Sequence, residues 1–130
     1  MSQQLVSVII PAYNHQRFIE ASIRSVIEQD YKNIELVIIN DGSTDKSLLK
    51  VNDLKDSRIQ IFSIKNHGVS HARNYGIKKA NSQYICFLDA DDFWYENHLS
   101  ELKLLLESYP NCGMFTTAYN RKKNNKILIV

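Results

Sequence analysis

The chain has 130 residues, 44% of them hydrophobic and 23% charged, with a formal net charge of +2. That length suits one domain with a core of its own, and the composition is that of a soluble globular protein. So small a charge is too little to argue for a nucleic-acid or anionic-membrane partner, and Arg121-Lys122-Lys123 reads as a solvated turn.

The first strand is Leu5 to Ile10, closed by Pro11. Phe18, Ile19, Ile23, Val26 and Ile27 follow at helical spacing with one apolar face, and Asn14 is placed to cap them. Ile34 to Ile39 is a second strand, stopping at Asn40-Asp41-Gly42-Ser43. Leu48, Leu49, Val51 and Leu54 then mark a helix, with Ser43, Thr44 or Asp45 as cap. Ile59 to Ile64 is a third strand, and Val69, Ala72, Gly76, Ile77 and Ala80 mark the next helix. Tyr84 to Leu88 is a fourth strand; Leu99, Leu102, Leu104, Leu105 and Leu106 form a helix stopped by Pro110. Gly113 to Tyr119 reads as a strand, Arg121 to Asn125 as a turn, and Lys126 to Val130 as a short returning strand.

Strands alternating with helices predict an α/β fold: three layers, α/β/α, with a mainly parallel sheet covered on both faces. Cys86 in the fourth strand and Cys112 after a Pro-Asn turn read as reduced core residues of an intracellular protein, at no zinc spacing. Met1-Ser2-Gln3-Gln4 lacks the features of a signal peptide, and no apolar stretch reaches membrane-spanning length. The expectation is a cytoplasmic protein that can still dock at the inner membrane face through partners. Ile127-Leu128-Ile129-Val130 is an apolar edge that something must cover, by self-association or by further chain.

In a parallel sheet the carboxyl ends of the strands share one rim, where ligands bind. Here they carry Pro11-Ala12-Tyr13-Asn14, Asn40-Asp41-Gly42-Ser43 and Asp89-Ala90-Asp91-Asp92. Tyr13 offers a face on which a base can stack, or is a half-buried turn aromatic. Asp41 can accept from a base N–H or a ribose hydroxyl, or is a turn residue. The acidic triplet can hold Mg²⁺ or Mn²⁺ against a diphosphate, or Asp91 or Asp92 caps the next helix. Arg73, early on its helix, can face an anion or form a surface ion pair. His67 and His71 have zinc-like i,i+4 spacing but no third ligand. A Gly-x-Gly-x-x-Gly, a phosphate-binding loop and a Gly-x-Ser-x-Gly elbow are all absent from the sequence.

Four segments in order, Val8 to Asn14, Ile38 to Asp45, Gly68 to Asn74 and Phe87 to Asp92, closely resemble the family 2 glycosyltransferases. The resemblance implies the GT-A (nucleotide-diphospho-sugar transferase) fold and an inverting transfer of sugar from a nucleotide-diphospho-sugar. It implies that Pro11, Ala12 and Tyr13 line the base pocket, Asp41 binds a uracil-type base, and Arg73 lies near the diphosphate. It also implies that Asp89-Ala90-Asp91 is the family's Asp-x-Asp motif. Asp89 then contacts ribose or sugar, and Asp91 binds Mn²⁺ or Mg²⁺. The donor is expected to be a UDP-sugar, and the acceptor a glycan or lipid-linked sugar of cell-envelope polysaccharide synthesis. Family members continue into a second half that supplies the acceptor site and the catalytic base, so residues 1–130 read as a single donor-binding domain without that half. The rival reading is a truncated binding module that transfers nothing. A doubly wound phospho-accepting receiver is disfavoured, because Pro-Ala-Tyr-Asn rather than acidic residues follows the first strand.

Overall fold

A computed structural model of the protein describes residues 4–123 and 126–129. Packing divides the chain into two compact units, residues 1–99 and 100–130. The first unit holds a four-stranded sheet of β1 (Val6–Ala12), β2 (Ile34–Asp41), β3 (Ile59–Ile64) and β4 (Tyr84–Phe87). Every pairing is parallel and the order is β3-β2-β1-β4. Helices α1 (Ile19–Ile27), α2 (Ser47–Asp53) and α3 (Val69–Lys79) connect the strands, and α4 (His98–Ser108) carries the unit boundary. The strand order reverses between β1 and β4, the kind of switch point that opens a crevice at the carboxyl ends.

All eight residues of β2 are buried, which requires cover on both faces of the sheet. One face forms the cluster of Ile9, Val37, Ile39 and Ala72, with Phe62, Ile64, Tyr75 and Ile85 packed against it. Residues of the opposite parity, Val8, Ile10, Leu36 and Ile38, are equally buried. Helix α3 approaches so closely that a Cβ on Gly76 would stand 2.5 Å from Ile9 Cγ2.

The first strand runs on through Pro11 to Ala12. Leu88 N–H donates to Ile9 O at 3.1 Å, so Ile9 turns its peptide groups towards β4. By alternation Pro11 does the same, but past Phe87, where β4 has ended, so its missing N–H costs no ladder bond.

At the amino ends of the strands a buried polar knot joins β1, β2 and β3. Glu35 accepts from Ser7 Oγ at 2.5 Å, Asn81 N at 2.6 Å, Asn81 Nδ2 at 2.8 Å and Gln60 Nε2 at 3.0 Å. Burial pushes its pKa up, but these donors outweigh burial and hold it below the ordinary value. Ser82 Oγ ties the knot to Leu5 O.

Several sequence expectations are corrected. Residues 113–119 form no strand: β5 is Asn120–Lys123, and its antiparallel partner is β6 (Lys126–Ile129). Gly113 to Tyr119 has strand propensity but pairs with no strand among the described residues, and Met114 and Tyr119 are exposed. Arg121 to Lys123 therefore belongs to a strand rather than a turn; residues 124 and 125 lie outside the described residues, as does Val130. Cys112 is exposed rather than in the core. Cys86 is half-buried, and burial pushes its thiol up to about 11. Asn14 does not cap α1, whose N-cap is Phe18 without a side-chain bond. Asn14 instead takes a positive φ of 54° and works between two loops, as described below.

Candidate functional site

A cavity of about 410 Å³ opens at the carboxyl ends of β1 and β2, lined by Pro11, Ala12, Tyr13, Asp41, Gly68 and Ala72 among others. Tyr13 is half exposed, so a ring face is available. Asp41 is only 3% exposed, and its two oxygens accept His67 N–H and Gly68 N–H, each at 3.0 Å. These donors lie just ahead of α3, and Gly68 turns into the helix with φ 91°, a conformation that favours glycine. Asp41 is thus an anchor for the start of α3 as well as a wall of the cavity. A carboxylate has about four acceptor positions; two backbone donors leave room for a ligand N–H or hydroxyl.

The loop carrying Tyr13 is locked to the loop after β2. Asn14 Oδ1 accepts Thr44 N–H at 2.8 Å, while Asn14 N–H donates to Ser43 Oγ at 3.1 Å. Gln16 N–H donates to Asp45 Oδ2 at 3.1 Å, and Gln16 Oε1 accepts Lys46 N–H at 2.9 Å. Asp45 also accepts Ser47 N–H at 2.9 Å, satisfying the first residue of α2.

The acidic triplet follows β4. Asp89, Asp91 and Asp92 each offer a carboxylate oxygen within 4.8 Å of the others. Helix α4 starts only at His98, so neither Asp91 nor Asp92 caps it. Burial, then the charges of Asp91 and Asp89, raise the pKa of Asp92. Arg73 Nη2 lies 2.7 Å from Asp89 Oδ1. One guanidinium against three carboxylates leaves the cluster acidic. Converging hard oxygen donors with unbalanced negative charge fit a small divalent cation such as Mn²⁺ or Mg²⁺. His67 and His71 stand 4.7 Å apart, ring to ring, and join no group of three possible metal ligands among the described residues.

Helix α3 links the two halves of the site. Ala72 lines the cavity, and Arg73, the next residue, reaches Asp89. Of the two readings of Arg73, the structure shows the ion pair, and the partner belongs to the acidic triplet.

Sequence reasoning missed the support beneath that triplet. Ser22, Ser25 and Gln29 of α1 and the residues just after it bond to the main chain of residues 89–99. A signal existed: three polar residues spaced i, i+3, i+7 beside the apolar stripe of Ile19, Ile23 and Val26.

The sequence profile described as Glycosyl transferase family 2 matches residues 7–128. The chain belongs to this family. This family 2 chain is 38% identical over 129 residues to WfgD of Escherichia coli, a UDP-Glc:alpha-D-GlcNAc-diphosphoundecaprenol beta-1,3-glucosyltransferase. That alignment covers 98% of the chain and 51% of WfgD. Among solved structures it resembles S. aureus TarS in complex with UDP-GlcNAc, with a TM-score of 0.76 and 26% identity over 81% of the chain. It also resembles the mannosyltransferase PcManGT from Pyrobaculum calidifontis in complex with GDP-Man and Mn²⁺, with a TM-score of 0.74 and 26% identity over 81% of the chain. Both neighbours are GT-A glycosyltransferases, so the expected fold class holds. The chain spans about half the length of WfgD and about a third of each neighbouring structure, 32% and 33%.

Proposed function

We propose that the chain is the donor-binding domain of an inverting glycosyltransferase that takes sugar from a UDP-sugar. The observation that carries this is the run of α3 from the Asp41 cavity to the acidic triplet, through Ala72 and Arg73. A nucleoside diphosphate needs those parts in that order: a flat apolar slot with one acceptor, then a cation, then a metal-holding cluster. Tyr13 stacks on the base beside Pro11 and Ala12. Asp41 accepts from the base. Arg73 gives positive charge to the diphosphate, and Asp89 contacts ribose or sugar while holding Arg73 in place. Asp91, with Asp92 beside it, holds Mn²⁺ or Mg²⁺. When bound, the ion supplies Lewis-acid neutralisation of the charge growing on the departing diphosphate. An acceptor hydroxyl would attack the anomeric carbon from the opposite face of the sugar as the bond to the diphosphate breaks, its proton passing to an unassigned general base.

The UDP preference draws support from the donor named for WfgD and the ligand named for TarS. WfgD's diphosphoundecaprenol substrate supports a lipid-linked acceptor in envelope glycan synthesis, reached by peripheral docking at the cytoplasmic membrane face. No helix among the described residues is long and apolar enough to cross a membrane.

Thermal unfolding with UDP or GDP, with and without Mn²⁺, tests the proposal. UDP is expected to raise the midpoint more with Mn²⁺ than without, and Asp91→Asn to remove the difference. Equal shifts in both proteins would remove Asp91 as the ligand, and a larger GDP effect would change the donor class. The rival reading is a binding module that holds the donor without transferring it. Sugar transfer or donor hydrolysis by the chain alone separates the two.

A further inference from the structure

We infer that Ser22 and Ser25 of α1 and Gln29 just beyond it form a polar seam that presets the acidic loop for its cation; the inference rests on the metal-holding role proposed above. Ser22 and Ser25 lie three residues apart on α1, and Gln29 follows two residues past its end, bonded back to Ser25 O. Ser22 is 1% exposed and Gln29 fully buried, and the apolar residues Ile19, Ile23 and Val26 of α1 are buried with them. Polar groups buried there are costly unless each is bonded, and each is bonded to the loop or to its neighbour in the seam.

Ser22 Oγ donates to Asp89 O at 3.2 Å. Ser25 Oγ accepts Trp94 N–H at 3.1 Å and donates to Ser22 O at 2.7 Å. Gln29 Nε2 donates to Tyr95 O at 2.6 Å and to Ser25 O at 3.0 Å, while Gln29 Oε1 accepts Leu99 N–H at 2.9 Å. Asp30 N–H adds a bond to Glu96 O at 2.9 Å. The amide of Gln29 is thereby satisfied on both of its donors and on its oxygen.

These bonds bracket the triplet. The seam grips the main chain at Asp89 on one side and at Trp94, Tyr95, Glu96 and Leu99 on the other. Three carboxylates within 4.8 Å repel one another and press the loop to spread. A loop pinned at both ends keeps them convergent, so less ordering remains to be done when the cation arrives. Ser22, Ser25 and Gln29 touch neither donor nor cation; they are positioning residues, acting through the main chain as groups behind metal ligands do.

The test uses Gln29→Met, which keeps volume but no bond, and Ser25→Ala as a milder second variant. Glu35→Gln is the control: it loosens the buried knot at the other end of the sheet. Mn²⁺ binding is titrated by electron paramagnetic resonance well below each unfolding midpoint, and UDP binding without metal by calorimetry. Gln29→Met is expected to weaken Mn²⁺ binding about tenfold, at the low end of the usual effect of such groups. Metal-free UDP binding should stay unchanged, because the Asp41 cavity is built on β1, β2 and α3. Glu35→Gln should lower the midpoint and leave Mn²⁺ affinity alone. If Gln29→Met and Ser25→Ala bind Mn²⁺ like wild type, or Glu35→Gln weakens it equally, the inference is overturned. A wild type that binds no Mn²⁺ overturns the metal assignment instead. Amide exchange then decides the seam: faster exchange at Trp94 and Asp92 in Gln29→Met upholds it, and unchanged exchange overturns it.

Discussion

Gly76→Ala probes the contact that seats α3 on the sheet. The new Cβ would stand 2.5 Å from Ile9 Cγ2 and 3.4 Å from Ile39 Cγ1 and Ile9 Cδ1. Carbon atoms rest about 3.5–4.0 Å apart, so helix and strand must part by about 1 Å. Ile9 and Ile39 are fully buried and cannot swing into solvent. Overpacking of this kind costs about 1–3 kcal/mol. Alanine returns about 1 kcal/mol through helix propensity. The net loss is about 1 kcal/mol, read as an unfolding midpoint about 4–8 °C lower for a unit of this size. The same displacement carries Arg73, one turn earlier on α3, and Gly68 at its start, so UDP binding should weaken as well. Urea unfolding in a double-mutant cycle isolates the contact. Ile9→Ala removes the clashing Cγ2, so it should cost less in Gly76→Ala than in the wild type. Gly113→Ala, with nothing within 4 Å of its added Cβ, should show no such coupling. A Gly76→Ala protein as stable as wild type, with additive single effects, would refute the close-approach reasoning.

Asp41→Asn replaces one acceptor oxygen with a donor facing a backbone N–H, at His67 or at Gly68. It should cost about 1–3 kcal/mol in urea unfolding and abolish metal-free UDP binding; retained UDP binding would leave Asp41 only its anchoring role. Asp56, hydrogen-bonded and ion-paired to Arg58 at 2.8 Å, has its pKa lowered from 3.8 to about 2. Its folded value is depressed, so its stabilisation is present above pH 3.8 and is lost as pH falls towards 2. Asp56→Asn should therefore cost about 2 kcal/mol at neutral pH, a gap that closes in acid. A gap independent of pH would refute the linkage. The hairpin β5–β6 is a two-stranded sheet carrying Ile127, Leu128 and Ile129. Isolated two-stranded sheets are marginal and open edges pair, so concentration-dependent association is expected by light scattering. A clean monomer at high concentration would count against it.

The central elements were legible because their local signals and their tertiary roles agree. Ile34 to Ile39 is apolar at nearly every position, and a strand buried on both faces needs that. Ile59–Ile64 has the predicted bounds. Gly113 to Tyr119 had the composition of a strand and is not one, because a strand exists only where a neighbour completes its ladder. Asn14 looked like a cap, since Asn caps helices, yet its partners are Thr44 and Ser43, distant in sequence.

The site divides the same way. Residue type and order in the sequence were enough to place Tyr13, Asp41 and the acidic triplet on one rim, because parallel strands must bring their carboxyl ends together. The sequence alone left open whether Asp91 or Asp92 capped a helix and whether Arg73 formed an ion pair. Only the tertiary structure settled these points, by starting α4 at His98 and by bringing Arg73 against Asp89. It also disclosed the two backbone donors on Asp41 and the seam of Ser22, Ser25 and Gln29. The physical reason is common to all of these. Strand and helix periodicity is written over a few neighbouring residues, whereas a hydrogen bond between Gln29 and Tyr95 exists only after packing has brought the two segments together.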